Sequence, residues 1–262
     1  MVTKLENETV KKSGLPVSSL KFIAMGAMVL DHIGLVLIEN GYLASFKDTD
    51  VVLSSLPLFW VNFFIRIIGK MAFPIYAFLI VEGYRHTKDI RKYLARLLGF
   101  AMLSEVPFDL AYRSVLFGFN SQNVLLTLSL GLVSIMMWNA ILPKTEDGKP
   151  DFFGAKESKK FWAILSVMIF FVIGSLIRVD YMGFGVVIVF FMYLLREDEV
   201  MRNVVTGVIM ALGGPIDIGG MLAFFPLHYY NGEKGRNLKW LFYSFYPLHL
   251  LLLVLIKYLI FM

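Results

Sequence analysis

The stretch LKFIAMGAMVLDHIGLVL (residues 20–37) is apolar except for Lys21 at its start and an adjacent acid and imidazole, Asp31 and His32. About 20 mostly apolar residues are what a helix needs to cross the hydrocarbon core of a bilayer. Runs of this kind recur at 57–83, 93–112, 122–142, 161–178 and 240–260. Shorter ones, broken by Gly or Pro, lie at 182–195, 201–216 and 218–230. The composition of the 262-residue chain agrees with its first run. It is 58% hydrophobic and 17% charged, with a mean hydropathy of +0.69, whereas soluble domains carry about 25% charged residues. The sequence therefore predicts an all-α, polytopic integral membrane helix bundle of about nine transmembrane helices. It divides into a polar cytoplasmic tail at 1–19 and a single membrane domain at 20–262. The tail lacks the short apolar core and small-residue cleavage site of a secretory signal, so the first run is expected to stay as a helix.

The placement of Lys and Arg tests this map, because cytoplasmic flanks are enriched in both. With the N-terminus inside, nineteen of the 25 Lys and Arg fall in inner segments: the tail through Lys21, 85–96, 144–160, 196–202 and 234–239. Outer loops hold Lys47, Arg113 and Arg178, and Arg66, Lys70 and Lys257 lie within runs. The alternation predicts an N-in/C-out protein with many passes through the cell inner (cytoplasmic) membrane. The net charge of +5 then reflects topology, not nucleic-acid binding.

Ionisable residues inside a membrane are costly and mark function by default. Here they are Asp31, His32, Arg66, Lys70, Glu105 and His249, with Glu82, Asp109 and His228 nearer the ends of their runs. At about 1.5 Å rise per residue, Asp31, Arg66 and Glu105 are expected in one buried polar layer. Arg66 and Lys70 are i,i+4, as are Glu105 and Asp109 on the next run, so each pair shares a face. Two readings follow. Arg66 pairs with Glu105 as a structural ion pair, or Lys70 is left to meet an anionic ligand or a developing oxyanion. A neutral imidazole at His32 can take and return a proton, or it can simply hydrogen-bond between helices. Neighbouring helical residues point about 100° apart, so Asp31 cannot orient His32. An acid from another helix, such as Glu105, is expected there, and Asp31 is expected to meet Arg66 or Lys70. His249 follows Pro247, which frees a backbone carbonyl. It either satisfies that break or lines the site. The cations Arg85, Lys88, Arg91, Lys92 and Arg96 set topology and contact anionic lipid, or dock the phosphates of a cofactor.

Several chemistries are excluded. The chain has no cysteine, hence no disulfide, thiolate metal site or cysteinyl acyl-enzyme. No G-x-x-x-x-G-K-[ST] loop, HExxH or G-x-S-x-G elbow is present, and four scattered histidines argue against a metal.

Residues 20–37, RIIGKMAFPIYAFLIVEGYRHT (66–87), RKYLARLLGFAMLSEVPFDLAY (91–112) and YPLHLLLL (246–253) together resemble the TraX family, which is named for a pilin acetylase of bacterial conjugative plasmids. NVLLTLSLGL (123–132) is similar too, and HYYNGEKGRNLKWLFYSFYPLH (228–249) extends the last stretch. The family sits within a wider group of transmembrane acyltransferases. The resemblance implies transfer of an acetyl or acyl group from acetyl-CoA or another acyl-CoA, without a metal. The acceptor would be an amine or hydroxyl of a peptide such as a pilin N-terminus, a glycan or a small metabolite. By position, His32 would be the catalytic base, supported by Asp31, Arg66 and Glu105. Lys70, Arg85, Lys88 and Arg91 would hold the donor, and Glu82, Asp109 and His249 would line the substrate. Two other classes compete: a proton-coupled small-molecule transporter or flippase, and a scaffold subunit of a conjugation or secretion apparatus.

Overall fold

A computed structural model describes residues 13–47, 51–237 and 239–261 of the chain; residues 1–12, most of the expected tail, lie outside the described residues. The architecture is all-α. Helix α1 (Val17–Ile33) runs without interruption into a π-helical segment, Gly34–Tyr42, and a 3-10 turn, Leu43–Phe46. Then come α2 (Pro57–Gly69), α3 (Ala72–His86), α4 (Ile90–Arg113), α5 (Val124–Ile141), α6 (Glu157–Leu176) and α7 (Met182–Leu194). Helix α8 (Glu199–Gly213) leads to a 3-10 segment, Asp217–Ala223, then to the short α9 (Phe224–His228) and to α10 (Lys239–Phe261).

Among the described residues, five helical segments are long and apolar enough to cross a membrane: Val17–Phe46, Pro57–His86, Val124–Ile141, Glu157–Leu176 and Lys239–Phe261. The protein is thus a polytopic membrane helical protein. Helix α6 leaves one side exposed through Phe161, Trp162, Met168 and Val172, the face a lipid-contacting helix presents. Helix α7 has only 13 residues and is apolar all round, the pattern of a fully enclosed helix. It packs among α3, α5, α6 and α8.

Local chemistry sets the helix boundaries. The side chains of Asp89, Asn123 and Asp198 accept from the backbone N–H groups of Lys92, Leu125 and Met201, capping α4, α5 and α8. Pro57 opens α2 at a position that needs no N–H. The run expected as one helix at 57–83 is broken at Lys70–Met71. Pro74 explains the break: its missing N–H and its ring disturb the carbonyl four residues earlier, that of Lys70. The stretch at 218–230 begins as a 3-10 turn and is α-helical only at Phe224–His228.

The connections sort to two ends. At one end, Leu15 N–H donates to Tyr229 O (2.7 Å), Val17 N–H to Glu233 O (2.8 Å), and His228 lies 3.1 Å from Glu199. At the other, Gln122 and Val179 pair backbones, and Lys257 donates to Ser114 (3.1 Å). The basic segments 85–96, 144–160, 196–202 and 234–239 therefore gather at the α1 N-terminal end.

Candidate functional site

Two buried side chains leave α1 in different directions. Arg66 of α2 donates from Nε to Asp31 (3.1 Å) and from Nη1 to both oxygens of Glu39 (2.7 Å each). Glu39 also accepts from Asn62 (2.8 Å). The seam is tight because of glycine. A Cβ at Gly69 would lie 2.7 Å from the backbone nitrogen of Asp31, and one at Gly34 would lie 2.7 Å from Cγ of Arg66. Eight residues of α-helix make about 2.2 turns, which would point Glu39 away from Asp31. The π winding that begins at Gly34 holds more residues per turn and returns Glu39 to the Asp31 face.

His32 faces α10. Its Nδ1 lies 2.6 Å from Nε2 of His249, and the two rings stack with centroids 4.9 Å apart. Nδ1 of His249 lies 2.7 Å from the carbonyl oxygen of Phe245. A carbonyl only accepts, so His249 carries its proton on Nδ1 and offers a lone pair at Nε2. His32 must then donate from Nδ1, which leaves Nε2 as its unprotonated nitrogen. The chain Phe245 O, His249, His32 is a relay that selects one tautomer of a neutral His32. The rings of Tyr112 and Tyr246 flank His32, each 6.1 Å away, and Phe245 stacks on His249 at 4.8 Å. Ala27, Met28, Phe108 and Leu250 complete the apolar wall.

These contacts correct three expectations. Arg66 does not pair with Glu105. Glu105 instead accepts from the backbone and side chain of Asn123, at 3.2 and 2.5 Å. The group bonded to His32 is His249, not an acid. His249 does not mend the break at Pro247, whose freed carbonyl is that of Tyr243; it bonds to Phe245 instead. Two expectations hold in geometry: Asp31 meets Arg66, and neighbours on α1 turn to different partners.

Lys70 sits beside the α2–α3 break, 3.4 Å from Asp217 and 5.2 Å above the Tyr181 ring. Asp109 accepts from Gly118 N–H (2.6 Å), near the opposite end of the bundle from the basic segments. His228 pairs with Glu199, a structural contact.

A cavity of about 440 Å³ opens at the basic end and runs inward between α1, α3, α4, α5 and α10. Its floor reaches Tyr76, Leu125 and Leu128. Tyr76 and Leu125 also pack against the cluster of Met28, Phe108, Tyr246 and Leu250, so one layer of side chains separates the floor from the histidine pair. Lys21, Arg96, Lys234, Arg236 and Lys239 line the cavity, and among the described residues none of them has a carboxylate partner. Nε of Arg96 is buried without a hydrogen-bond partner. Glu82 borders the cavity, pairing with Arg85 (3.0 Å) and accepting from Tyr230 (2.7 Å). Burial and this carboxylate push the Tyr230 phenol up. The expected donor cations lie elsewhere: Lys70 is deep at the helix break, Arg85 and Lys88 face a second hollow, and Arg91 is exposed.

The profile of the TraX protein family matches residues 17–257, which contain α1, the histidine relay, the Arg66 clamp and the cavity. The chain belongs to the TraX family. A protein of Dichelobacter nodosus described as "probable fimbrial assembly protein FimC, serogroup H1" is 26% identical over 250 residues, covering 89% of this chain and 92% of that one. No solved structure matches the chain. The sequence does not mark Glu39, Asp217 or Lys21 as site residues, whereas Arg96 belongs to the basic run expected to meet lipid or phosphates. Glu39 lies two residues past the first apolar stretch, 20–37, and only π winding brings it to Asp31. The signal for Asp217 was the one acid within GGPIDIGG (213–220).

Proposed function

We propose that this TraX-family protein is an inner-membrane acyltransferase that moves an acetyl group from acetyl-CoA to an amine, the N-terminus of a pilin or similar peptide. The observation that carries this reading is the His32–His249–Phe245 relay, one side-chain layer beyond a cavity whose cations have no carboxylate partner among the described residues. The family membership and the fimbrial name of the relative favour a pilin-like acceptor. The protein lies N-in and C-out, as the placement of Lys and Arg predicts. The basic end therefore faces the cytosol, where the donor is found.

The cavity suits a donor with a polyanionic head and a narrow acyl arm. Lys21, Arg96, Lys234, Arg236 and Lys239 hold phosphates at the mouth, and Arg96 has an unused donor for one of them. Tyr76, Leu125 and Leu128 surround the acyl end. When the bound acyl arm displaces the intervening layer of side chains, His32 Nε2 takes the proton of the acceptor nitrogen as that nitrogen bonds to the thioester carbonyl carbon. Lys70 keeps N–H groups for the oxyanion, since its contact with Asp217 is a single one. Arg66, occupied by two carboxylates, acts as a positioning residue. As the C–S bond breaks, His32 returns its proton to the thiolate sulfur. The products are an amide and the free thiol.

The test uses purified protein in detergent, acetyl-CoA labelled in the acetyl group and a peptide with a free N-terminus. Label should move to the peptide, and His32→Ala should abolish transfer while the protein still inserts and elutes normally. Undiminished transfer by His32→Ala would remove His32 from the reaction. Proton-driven uptake into proteoliposomes without any transfer would favour a transporter instead.

A further inference from the structure

A second hollow of about 360 Å³ lies at the basic end beside the cavity, with Thr87 lining both, between the α3–α4 connection, the α5–α6 loop and the end of α7. Arg85, Lys88, Lys144, Lys149 and Arg196 line it, and no carboxylate does. Two of these cations are held by neutral groups. Lys144 donates to the side-chain oxygen of Asn139 (3.2 Å), which also accepts from Tyr193 (2.9 Å). Arg196 donates to the backbone oxygen of Tyr193 (2.8 Å) and lies 4.6 Å over its ring. Tyr193 is buried and packs edge-on against Tyr84. The hollow thus has a wall of amide and tyrosines carrying more positive charge than its acid neighbours balance. Among the described residues its acid contacts are Glu82 on Arg85 and Glu197, shared at 3.5 and 3.9 Å by Arg196 and Lys149.

Depth suggests the ligand. The hollow lies just beyond the last turns of α3, α5 and α7. Phe153, on the same loop as Lys149, is 91% exposed, and Phe161 and Trp162 are exposed at the start of α6. Exposed aromatics beside cations mark the headgroup layer of a bilayer. We infer that this hollow is a binding site for the phosphate of an anionic phospholipid headgroup, separate from the donor cavity. Clefts of this kind between helices on the cytoplasmic side bind such headgroups by charge and geometry. The inference does not depend on the acyl transfer proposed above.

The experiment measures lipid retained by the detergent-purified chain, by native mass spectrometry, with phosphatidylglycerol or phosphatidylcholine added. Phosphatidylglycerol should be preferred, and Lys144→Gln/Lys149→Gln should lose about tenfold or more of that preference. Lys88→Gln, on the opposite wall, should weaken it independently. Equal retention of both lipids, or an unchanged preference in both variants, overturns the site. Binding of inorganic phosphate without any preference between the lipids also overturns it, in favour of a soluble phosphate ligand. Displacement of phosphatidylglycerol by acetyl-CoA overturns it in favour of the donor.

Discussion

At the scale of single residues, the central feature is a tautomer. His32 has no carboxylate to orient it; the partner is a second imidazole, fixed in turn by a backbone carbonyl that can only accept. His249 is therefore a positioning residue in the proposed reaction. His249→Ala frees His32 to carry its proton on either nitrogen, and transfer should fall about 10²-fold with the KM for acetyl-CoA unchanged. His249→Gln, whose amide oxygen can accept from His32 Nδ1, should recover part of that loss. Steady-state kinetics on the three proteins checks this, and equal loss in Ala and Gln would argue against the relay. The divergence of Asp31 from His32 was readable in the sequence, because 100° per residue forbids neighbours from sharing a partner. The identity of each partner was not, because Arg66 and His249 are 35 and 217 residues distant.

At the scale of elements, two local departures from the α-helix build the site. The π winding from Gly34 returns Glu39 to the face of Asp31, and Pro74 breaks the second run at Lys70. Arg66 then clamps α1 to α2 through both acids. Replacing it by Leu leaves Glu39 without its cation, and Asp31 with the more distant Lys70, in a seam where Asp31 is 8% exposed. Thermal unfolding in detergent should show a loss of about 3–5 kcal/mol, and adding Asp31→Asn to Arg66→Leu should restore part of it. Gly69→Val should open the same seam, since even a Cβ there lies 2.7 Å from the Asp31 nitrogen. A Gly69→Val protein as stable as the parent would mean the helices can separate freely. The proline, though not its effect on winding, stands in the sequence. The π segment carries no distinctive sequence mark, since the Gly, Asn and β-branched residues of GLVLIENGY (34–42) suit many local structures and its register is set by what α2 offers it.

At the scale of the whole molecule, the basic segments emerge at one end and the cavity opens among them. Since the chain lacks cysteine, single cysteines can report sidedness without background. Asp147→Cys in the α5–α6 loop should react with an impermeant maleimide only in inside-out vesicles, and Phe119→Cys only in right-side-out cells. The reverse pattern would invert the proposed orientation and separate the cavity from its cytosolic donor. Sequence alone determined that the chain is an all-helical membrane protein and where most of its helical runs lie, the break at Lys70–Met71 and the 3-10 turn at Asp217–Ala223 aside. Hydropathy and charge act locally and along the chain, so they can be read in order. It also carried the family resemblance, in the spacing of charged residues within apolar runs. Only the tertiary structure decided that His32 meets His249, that Arg66 meets Asp31 and Glu39 rather than Glu105, and which cations surround the cavity. Those pairings depend on how helices rotate and approach one another across long separations, and glycine seams, a π segment and a proline break set those rotations.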